Sequence, residues 1–380
     1  MPLQDYMGIV SVDDHLIEHG RVWTDRLPNK YKKDGPTLVV DDDGAEYWRF
    51  EGSSEAAYPS AGTAAGLING QETYDRNVIP RSSDLIPGVM DPIARVKDMD
   101  SDGVAAQMCI PTYPRFAGTR FLRAKDKDLA LRCIQAYNDF VIEEWCGSAP
   151  TRYIPLCIVP LWDVSLAVDE LQRVAEKGAR SISFPELTAP LGLPSIHTGY
   201  WDPFFAVTSD VQLPLSMHIG TSGQVPRPSP ESPDSVYISL FATNSMMTCA
   251  DYIFSNAFHK FKKLKIALSE GGVGWVPHLK ERLDYVWERQ RQWDRINRDV
   301  RPSELFDEHV FGCFIDDEVG ISLRNKVGVR NMMLESDFPH SDTSWPNTRK
   351  RAEEVLAKVS DEDAYLISER NARQLYNFNP

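Results

Sequence analysis

A chain of 380 residues is long enough for one large domain with insertions or for two ordinary domains, so length alone leaves the number of domains open. Hydrophobic residues make up 42% and charged residues 25% of the chain, and no stretch approaches the roughly 18 uninterrupted apolar residues that a membrane span requires. The formal charge of -14 argues against nucleic acid as a partner, because a phosphate backbone is bound by a strongly basic surface.

The beginning of the chain and its cysteines indicate a cellular compartment. The opening MPLQDYMGIVSVDDH lacks the basic flank and the long apolar core of a signal peptide, so we expect a cytoplasmic protein. The cysteines are scattered singly without C-x-x-C spacing, and Cys109, Cys157 and Cys313 lie in apolar runs. This pattern is typical of buried thiols rather than of disulfides or zinc ligands.

Short apolar runs bounded by turn residues predict buried parallel strands, because most of them are followed by a segment with helical periodicity. The runs comprise residues 8–14, 103–112, 153–161, 179–185, 213–220, 264–272, 310–315 and 331–340. No G-x-G-x-x-G turn follows an early strand, which disfavours an open dinucleotide-binding sheet. The pattern predicts an α/β fold, a (β/α)8 TIM barrel, with residues 1–380 forming a single domain.

Two segments interrupt the regular alternation. Residues 20–90 form a long insertion after the first strand, rich in small residues and proline around AYPSAGTAAGLING. We interpret this insertion as a lid over the barrel mouth, and the alternatives are a peripheral decoration or a contact in a homo-oligomer. A Pro- and Ser-rich loop at residues 221–235 follows the fifth strand and is expected to lie over the same face.

Residues that bind metals collect at the ends of the predicted strands, where TIM-barrel enzymes carry their active sites. Asp13 and His15 are two residues apart in the first strand, so both can face the barrel axis. Glu18 comes within reach of them if the chain turns helical there. The complete set of predicted metal ligands is Asp13, His15, Glu18, His218, Glu270, Asp337 and His340.

At these residues the sequence resembles the amidohydrolase-related TIM-barrel superfamily, which includes aminocarboxymuconate-semialdehyde decarboxylase and γ-resorcylate decarboxylase. The resemblance rests on the acidic-x-His opening, the MHIG strand, the LKIALSEGGVGWVPHLKERLD block and the ESDFPHSD ending. Decarboxylases of this group usually carry a histidine after the sixth strand as an acid/base residue, whereas this chain has Glu270. The predicted catalytic residues are therefore Glu270 and His340, and His340 is the residue that would substitute as acid or base.

The same residues also resemble a smaller branch of nonheme diiron monooxygenases, which includes a diterpenoid hydroxylase of platensimycin and platencin biosynthesis. The predicted set holds four carboxylates and three imidazoles, more than the roughly three protein ligands of a catalytic zinc ion. This resemblance implies two iron ions with Glu270 among the ligands, and an unidentified electron donor. It also implies hydroxylation of a C–H bond in a small hydrophobic substrate, with a coenzyme A thioester as one candidate.

The leading hypothesis from the sequence is therefore a diiron monooxygenase. The alternative is a hydrolase or nonoxidative decarboxylase that uses zinc or manganese, because the same ligands would serve a dinuclear hydrolase. A binding or scaffold protein without activity is disfavoured, since none of the ligand positions has been lost.

A basic segment, RFAGTRFLRAK, follows the second strand and brings Arg115, Arg120, Arg123 and Lys125 near the same face. We interpret the arginines as substrate-binding residues that would hold the phosphates of a coenzyme A ester. The alternative is a solvated basic start of a helix.

Overall fold

The computed structural model describes residues 3–59, 61–68, 79–294, 296 and 299–379. Its strands, numbered in chain order, are β1 (Val10–Leu16), β2 (Thr37–Val40), β3 (Glu46–Phe50), β4 (Ser53–Ala56), β5 (Ala106–Pro111), β6 (Leu156–Cys157), β7 (Ser181–Ser183), β8 (Leu215–His218), β9 (Ile266–Ser269), β10 (Val310–Phe314) and β11 (Met332–Leu334). Its α-helices are α1 (Arg21–Thr24), α2 (Pro92–Asp102), α3 (Thr119–Leu122), α4 (Lys127–Asp139), α5 (Val164–Lys177), α6 (Asp202–Val211), α7 (Asp234–Ile238), α8 (Phe241–Phe254), α9 (Ala257–Lys260), α10 (Val276–Gln290), α11 (Pro302–His309), α12 (Glu318–Ser322), α13 (Arg324–Val327), α14 (Thr348–Val355), α15 (Asp361–Tyr365) and α16 (Asn371–Leu375). π-Helical turns at Phe140–Trp145 and Leu366–Arg370 extend α4 and α15.

The parallel strands form one eight-stranded sheet in the order β5, β1, β11, β10, β9, β8, β7, β6. A parallel bridge between Gln107 of β5 and Tyr153, which precedes β6, brings the two edges of this sheet together. Helices lie between successive strands, for example α5 between β6 and β7. This architecture is a (β/α)8 barrel, and it confirms the fold predicted from the sequence. Each of the predicted runs overlaps one barrel strand, and β1 continues beyond its run to Leu16.

The barrel strands are buried on both faces, as the continuous apolar runs predicted. Inside the ring, Val12, Met108 and Met333 belong to one apolar cluster, which Tyr376 and Phe378 of the C-terminal segment complete. A larger apolar cluster fills the space between the strands and the surrounding helices. The cysteines are all free and buried, in agreement with the expectation of buried thiols.

Local signals in the sequence set the ends of the helices that return the chain to the next strand. The carboxylate of Asp163 accepts hydrogen bonds from the backbone N–H groups of Ser165 and Leu166 and so begins α5. The helix ends at Gly178, whose left-handed φ of 104° favours glycine. Because each helix runs antiparallel to the strands, the carboxyl ends of all the barrel strands lie on one face.

The insertion after β1 has a structure of its own. β2, β3 and β4 form an antiparallel sheet, and Trp48 of β3 packs against Trp23 and Tyr113 with ring centroids 5.3 and 4.5 Å apart. A 3-10 helix at Ala61–Gly66 follows, and the backbone N–H of Ala65 donates to the carbonyl of Pro339 at 3.0 Å. Residues 60 and 69–78 of the predicted lid lie outside the described residues. The insertion therefore packs on the mouth of the barrel.

Within the described part of the chain, no helix combines the length and the apolar character needed to cross a bilayer.

Candidate metal centre

Histidine and carboxylate side chains from four strand ends meet at the carboxyl face of the barrel. β1 supplies Asp13 and His15, and β8 ends with His218. Glu270 directly follows β9, and Asp337 lies on the segment after β11. Parallel barrel strands end at one face, so residues distant in the sequence become neighbours here.

The polar atoms of these side chains face one another at short distances. Nε2 of His15 lies 3.2 Å from Oδ1 of Asp337 and 3.5 Å from Oδ1 of Asp13. Nε2 of His218 lies 3.7 Å from Oδ2 of Asp13 and 3.4 Å from Oε2 of Glu270. The five side chains therefore surround one small space.

His340 completes the group from the loop after β11. Its Nδ1 lies 2.9 Å from Oδ1 of Asp337, and its ring stacks on His15 with centroids 3.6 Å apart. Ligand atoms of His15, His218, Asp337 and His340 all lie within 4.8 Å of one another, a spacing that a single ion can bridge. The 3-10 helix of the insertion covers His340, because a Cβ added at Gly62 would lie 3.6 Å from its Nε2.

Most of these ligand atoms are buried without a hydrogen-bond partner. The unpartnered atoms are both carboxylate oxygens of Asp13 and Asp337, both ring nitrogens of His15 and Nε2 of His218. Nδ1 of His218 lies 2.7 Å from the carbonyl oxygen of Ile219, which can only accept, so Nδ1 carries the proton and Nε2 has a free lone pair. Buried polar atoms without partners are costly, and a bound cation would give a partner to those that face the shared space.

The backbone is strained at two of the carboxylates. Glu270 and Asp337 both have a φ of 57°, in the left-handed region that costs a residue other than glycine roughly 1–3 kcal/mol. Gly271 allows the chain to pass close to α8, because a Cβ there would lie 2.1 Å from Oγ of Ser245. Such strain is typical of residues whose side chains are held in a functional site.

Asp14 supports the centre from the opposite side of β1. Its Oδ1 accepts hydrogen bonds from Oγ of Ser336 and, at 3.1 Å, from the backbone N–H of Phe338. These two residues flank Asp337, so Asp14 fixes the loop that carries this ligand.

Glu335 is a carboxylate of this region that the sequence analysis missed. It is buried, and its Oε2 accepts the backbone N–H of Glu270 at 3.1 Å and lies 2.6 Å from Sγ of Cys313. The i, i+2 rule that paired Asp13 with His15 also pairs Glu335 with Asp337, and this signal was available in the sequence.

Glu18 does not join the ligand group that the sequence analysis predicted for it. Its two carboxylate oxygens accept the backbone N–H groups of Thr112 and Tyr113 at 3.1 and 2.8 Å. The prediction required a helical turn after His15, whereas β1 continues to Leu16 and carries the chain past the centre. Glu18 instead ties the end of β1 to the loop after β5.

Burial and mutual repulsion shift the pKa values of the group. Burial, together with the neighbouring carboxylates, raises the pKa of Asp13, Glu270 and Asp337 well above its usual range. Burial also raises the pKa of Glu335 to about 7 and lowers the pKa of His218 to about 3. Without a cation, protonated carboxyl groups are therefore favoured. A divalent ion reverses this preference, because its ligands bind in their deprotonated forms.

The donor set fits a metal of intermediate hardness. It combines the imidazoles of His15, His218 and His340 with carboxylates, a mixture that suits zinc, manganese or iron. A catalytic zinc ion uses about three protein ligands, so this group has donors to spare. If the buried oxygens and nitrogens described above had hydrogen-bond partners, the same residues would form an ordinary hydrogen-bonded cluster.

A cavity of about 560 Å³ opens beside the centre. The ring of Phe116 lines this cavity and also contacts the rings of His218 and His15, with centroids 4.1 and 4.9 Å apart. Gly220 and Thr221, from the loop after β8, line the same cavity. Phe116 therefore lies between the cavity and the ligand atoms.

The basic segment identified in the sequence lines this cavity with Arg115, Arg120, Arg123 and Lys125. Arg120 is held in place by an ion pair with Glu55 of β4, and its guanidinium lies 4.2 Å from the ring centroid of Tyr113. Arg123 and Lys125 form no ion pair with any carboxylate of the described residues. The acidic lining residues are Glu51 and Glu55, and Glu55 also lies 3.5 Å from Arg115. Cations remain in excess, so the cavity is suited to an anionic molecule.

A second cavity, of about 480 Å³, reaches the centre from another direction. Glu270 and Glu335 line it together with Asp316 and Asp342. Its cation, Arg351, is paired with Asp316. The two approaches to the centre therefore differ in charge, one being basic and the other acidic.

Comparisons with known proteins place this geometry in a family. The model of the family described as amidohydrolase matches residues 72–378. A search of curated proteins found no match.

Solved structures share the fold over almost the whole chain. An amidohydrolase from Mycobacterium avium subsp. paratuberculosis K-10 has a TM-score of 0.75 at 21% identity, covering 98% of this chain and 100% of that chain. A 5-carboxyvanillate decarboxylase from Sphingomonas paucimobilis has a TM-score of 0.64 at 18% identity, covering 98% and 100%. A dihydroxybenzoic acid decarboxylase from Polaromonas sp. JS666, with bound manganese and the inhibitor 2-nitroresorcinol, has a TM-score of 0.62 at 17% identity, covering 98% of each chain.

These solved structures support the fold, whereas the family follows from the match over most of the chain. The group of metal ligands at the barrel mouth agrees with a metal-dependent enzyme. The chain belongs to the amidohydrolase family and is a metal-dependent enzyme of that family.

Proposed function

We propose that this protein is a metal-dependent nonoxidative decarboxylase or hydrolase of a small anionic substrate, and of the two reactions we favour decarboxylation. The observation that carries the proposal is the group of buried, unpartnered ligand atoms at the barrel mouth. Two of the structures with the same fold are aromatic acid decarboxylases, one of them with bound manganese. This proposal replaces the diiron monooxygenase as the leading hypothesis.

His15, His218, Asp337 and His340 would hold the ion, with Asp13 and Glu270 beside them. When bound, a divalent ion of zinc or manganese polarises a carbonyl or carboxylate and stabilises developing negative charge.

The cavity beside the centre supplies substrate recognition in this proposal. Arg115, Arg123 and Lys125 attract an anionic group and orient it at the wall of the cavity. Phe116 offers an aromatic face against which a planar ring can pack. The insertion sheet closes the opposite wall through Trp48 and so keeps bulk water from the reacting group.

Decarboxylation replaces carbon dioxide with a proton, so the site needs an acid. Glu270 is suited to this role because its carboxyl group lies 3.4 Å from His218 and also lines the acidic cavity. A proton can therefore reach Glu270 from solvent without passing through the substrate cavity. His340, 15% exposed, is the second candidate acid, and the two residues are the catalytic pair that the sequence analysis named.

A second candidate function is a dinuclear iron monooxygenase. The observation that favours it is the surplus of ligands, since three imidazoles and three carboxylates exceed the needs of one ion. In this reading Glu270 is a ligand of the second iron, and the basic cavity holds the phosphates of a coenzyme A thioester. The reaction would then require oxygen and an electron donor.

The two candidates differ in their need for oxygen. We would load the purified protein anaerobically with manganese, zinc or ferrous iron, measure metal per chain, and assay hydroxybenzoic acids for carbon dioxide release under argon. We expect release under argon that is lost in His218→Ala. The matched control is His197→Ala, because His197 is exposed and pairs with Asp251 away from the centre. Turnover that requires oxygen and two irons per chain would overturn the decarboxylase in favour of the second candidate.

We also propose that residues 20–90 act as a lid. The support is the contact of Ala65 with Pro339 and the ion pair of Glu55 with Arg120, which tie the insertion to both sides of the mouth. The substrate identified in the preceding assay should slow hydrogen exchange in this segment, because closing lids become ordered on binding. Unchanged exchange throughout the segment would favour a peripheral decoration instead.

A further inference from the structure

A third cavity, of about 800 Å³, lies at the opposite end of the barrel from the metal centre. Its walls include residues that immediately precede barrel strands, namely Pro214 before β8, Lys265 before β9 and Asn331 before β11. Tyr376, from the C-terminal segment, lines it as well. We call this space the basal cavity.

The basal cavity is rich in cations although the whole chain has a formal charge of -14. Its cationic lining residues are Arg180, Lys262, Lys263, Lys265 and Arg330, and its acidic lining residues are Asp307 and Glu308. Asp307 is already paired with Lys280, which is not a lining residue. Within the described part of the chain, Arg180, Lys262, Lys263 and Arg330 form no ion pair. The cavity therefore gathers positive charge that the protein itself does not neutralise.

The shape of the basal cavity strengthens this charge. Its floor is buried, since Tyr376 is 1% and Asn371 2% exposed. Lys265 is partly buried in the wall of the cavity. Charges along a concave wall of low dielectric add their fields inside it, so an anion is attracted more strongly there than on a flat surface.

The volume and the side chains define the class of ligand. Sites for small molecules typically enclose about 300–1,000 Å³, which includes the volume of the basal cavity. The guanidinium groups of Arg180 and Arg330 can bind phosphate oxygens in pairs, and the lysines add point charges around them. A single monoanion would leave most of these cations unpaired.

We propose that the basal cavity binds a small polyanion with two or more phosphate groups, at a site separate from the metal centre. This inference goes beyond the proposed decarboxylase, because no residue of the basal cavity belongs to the catalytic face.

The test is calorimetric titration with inorganic tripolyphosphate, with orthophosphate as the monophosphate probe. We expect tripolyphosphate to bind more tightly than orthophosphate. In the Lys263→Glu/Arg330→Glu protein, the Kd for tripolyphosphate should be at least about tenfold higher than in the wild type, because charge-assisted hydrogen bonds are lost. The matched control is Lys350→Glu/Lys358→Glu, which makes the same change in net charge at exposed positions outside the cavity and should leave the Kd within about twofold.

Tripolyphosphate is also a chelator, so its binding must be separated from the metal centre. The Asp337→Ala protein, which lacks a ligand of that centre, should bind tripolyphosphate as the wild type does. The proposal is overturned if no binding occurs, if the charge reversal in the basal cavity leaves the Kd unchanged, or if Asp337→Ala abolishes binding. None of these results depends on whether the protein is a decarboxylase.

Discussion

At the carboxyl end of the barrel, the strands deliver acids and imidazoles with buried, unpartnered atoms, whereas the amino end carries lysines and arginines. Among these cations, Arg180, Lys262, Lys263 and Arg330 form no ion pair with the described residues. The two groups differ in burial. Asp13, His15 and Asp337 are 0% exposed, while Lys262 and Lys263 are open to solvent. Buried charges without partners are far more costly than solvated ones, which water and salt screen.

The comparison shows how one fold can build two sites of opposite charge. At the carboxyl face the strand ends point into a closed space, so the ligands are positioned rigidly and a cation contributes much of the site's stability. At the amino face the connections only surround an open cavity, so an anion would be held by weaker and salt-dependent attraction. We therefore expect large effects from changes at the first site and smaller ones elsewhere.

The largest effect is expected from the removal of metal ligands. His218→Ala and Asp337→Ala should each lower metal affinity by at least about a hundredfold and abolish turnover, because they remove atoms that have no other partner. Metal per chain would be measured after gel filtration, and circular dichroism should show that the barrel remains folded. Wild-type metal content in both variants would refute the assignment of the centre.

A second substitution tests which function the centre supports. Histidine tolerates the left-handed backbone of Glu270 better than most residues, so Glu270→His should fold. If Glu270 acts through a proton, as we propose, the variant should keep its metal content and show a shifted pH profile of turnover. If Glu270 is a ligand of a second iron, the variant should keep at most one metal per chain. Elemental analysis together with the pH profile separates the two outcomes.

A smaller effect is expected from removing the aromatic ring that separates the basic cavity from the metal ligands. Phe116→Ala removes the ring between the cavity and the ligand atoms, which are buried in the structure. A chelator should then strip the metal about tenfold faster, while the equilibrium metal content stays the same. The control is Phe311→Ala, whose ring lines the basal cavity at the other end. Equal stripping rates in wild type and Phe116→Ala would show that the ion is reached by another route, such as the acidic cavity.

The smallest effect concerns Glu186, a buried carboxylate outside the metal centre. Its Oε2 accepts Oγ of Ser222 at 3.2 Å, its Oε1 has no partner, and burial raises its pKa from 4.5 to about 7. A carboxyl whose pKa is raised by folding stabilises the protein at low pH, and this contribution is lost as the pH rises through about 7. The free energy of unfolding of the wild type should therefore fall between about pH 5 and about pH 8. In Glu186→Gln this fall should be smaller, by on the order of 3 kcal/mol at most. Urea unfolding at both pH values measures this difference, and identical pH dependence would contradict it.

The sequence by itself determined the barrel and most of the residues at its mouth. The continuous apolar runs fixed eight buried strands, because strands that are covered on both faces have no need of alternating polar residues. Once the strands close into a barrel, their carboxyl ends must share one face, so the sequence alone groups Asp13, His15, His218, Glu270 and Asp337. The basic segment was placed near the same face by the same rule.

Only the tertiary structure decided which side chains actually meet. Glu18 depended on whether β1 ended at His15 or continued, and strand pairing with β5 extends it to Leu16. Local propensity is too weak to set such a boundary when tertiary pairing competes with it. The ring of Phe116 enters the site through packing against His15 and His218, which lie in segments that have no periodic relation to it in the sequence. The basal cavity likewise exists only because separate connections, among them the lysine-rich segment before β9, converge at the amino end of the barrel.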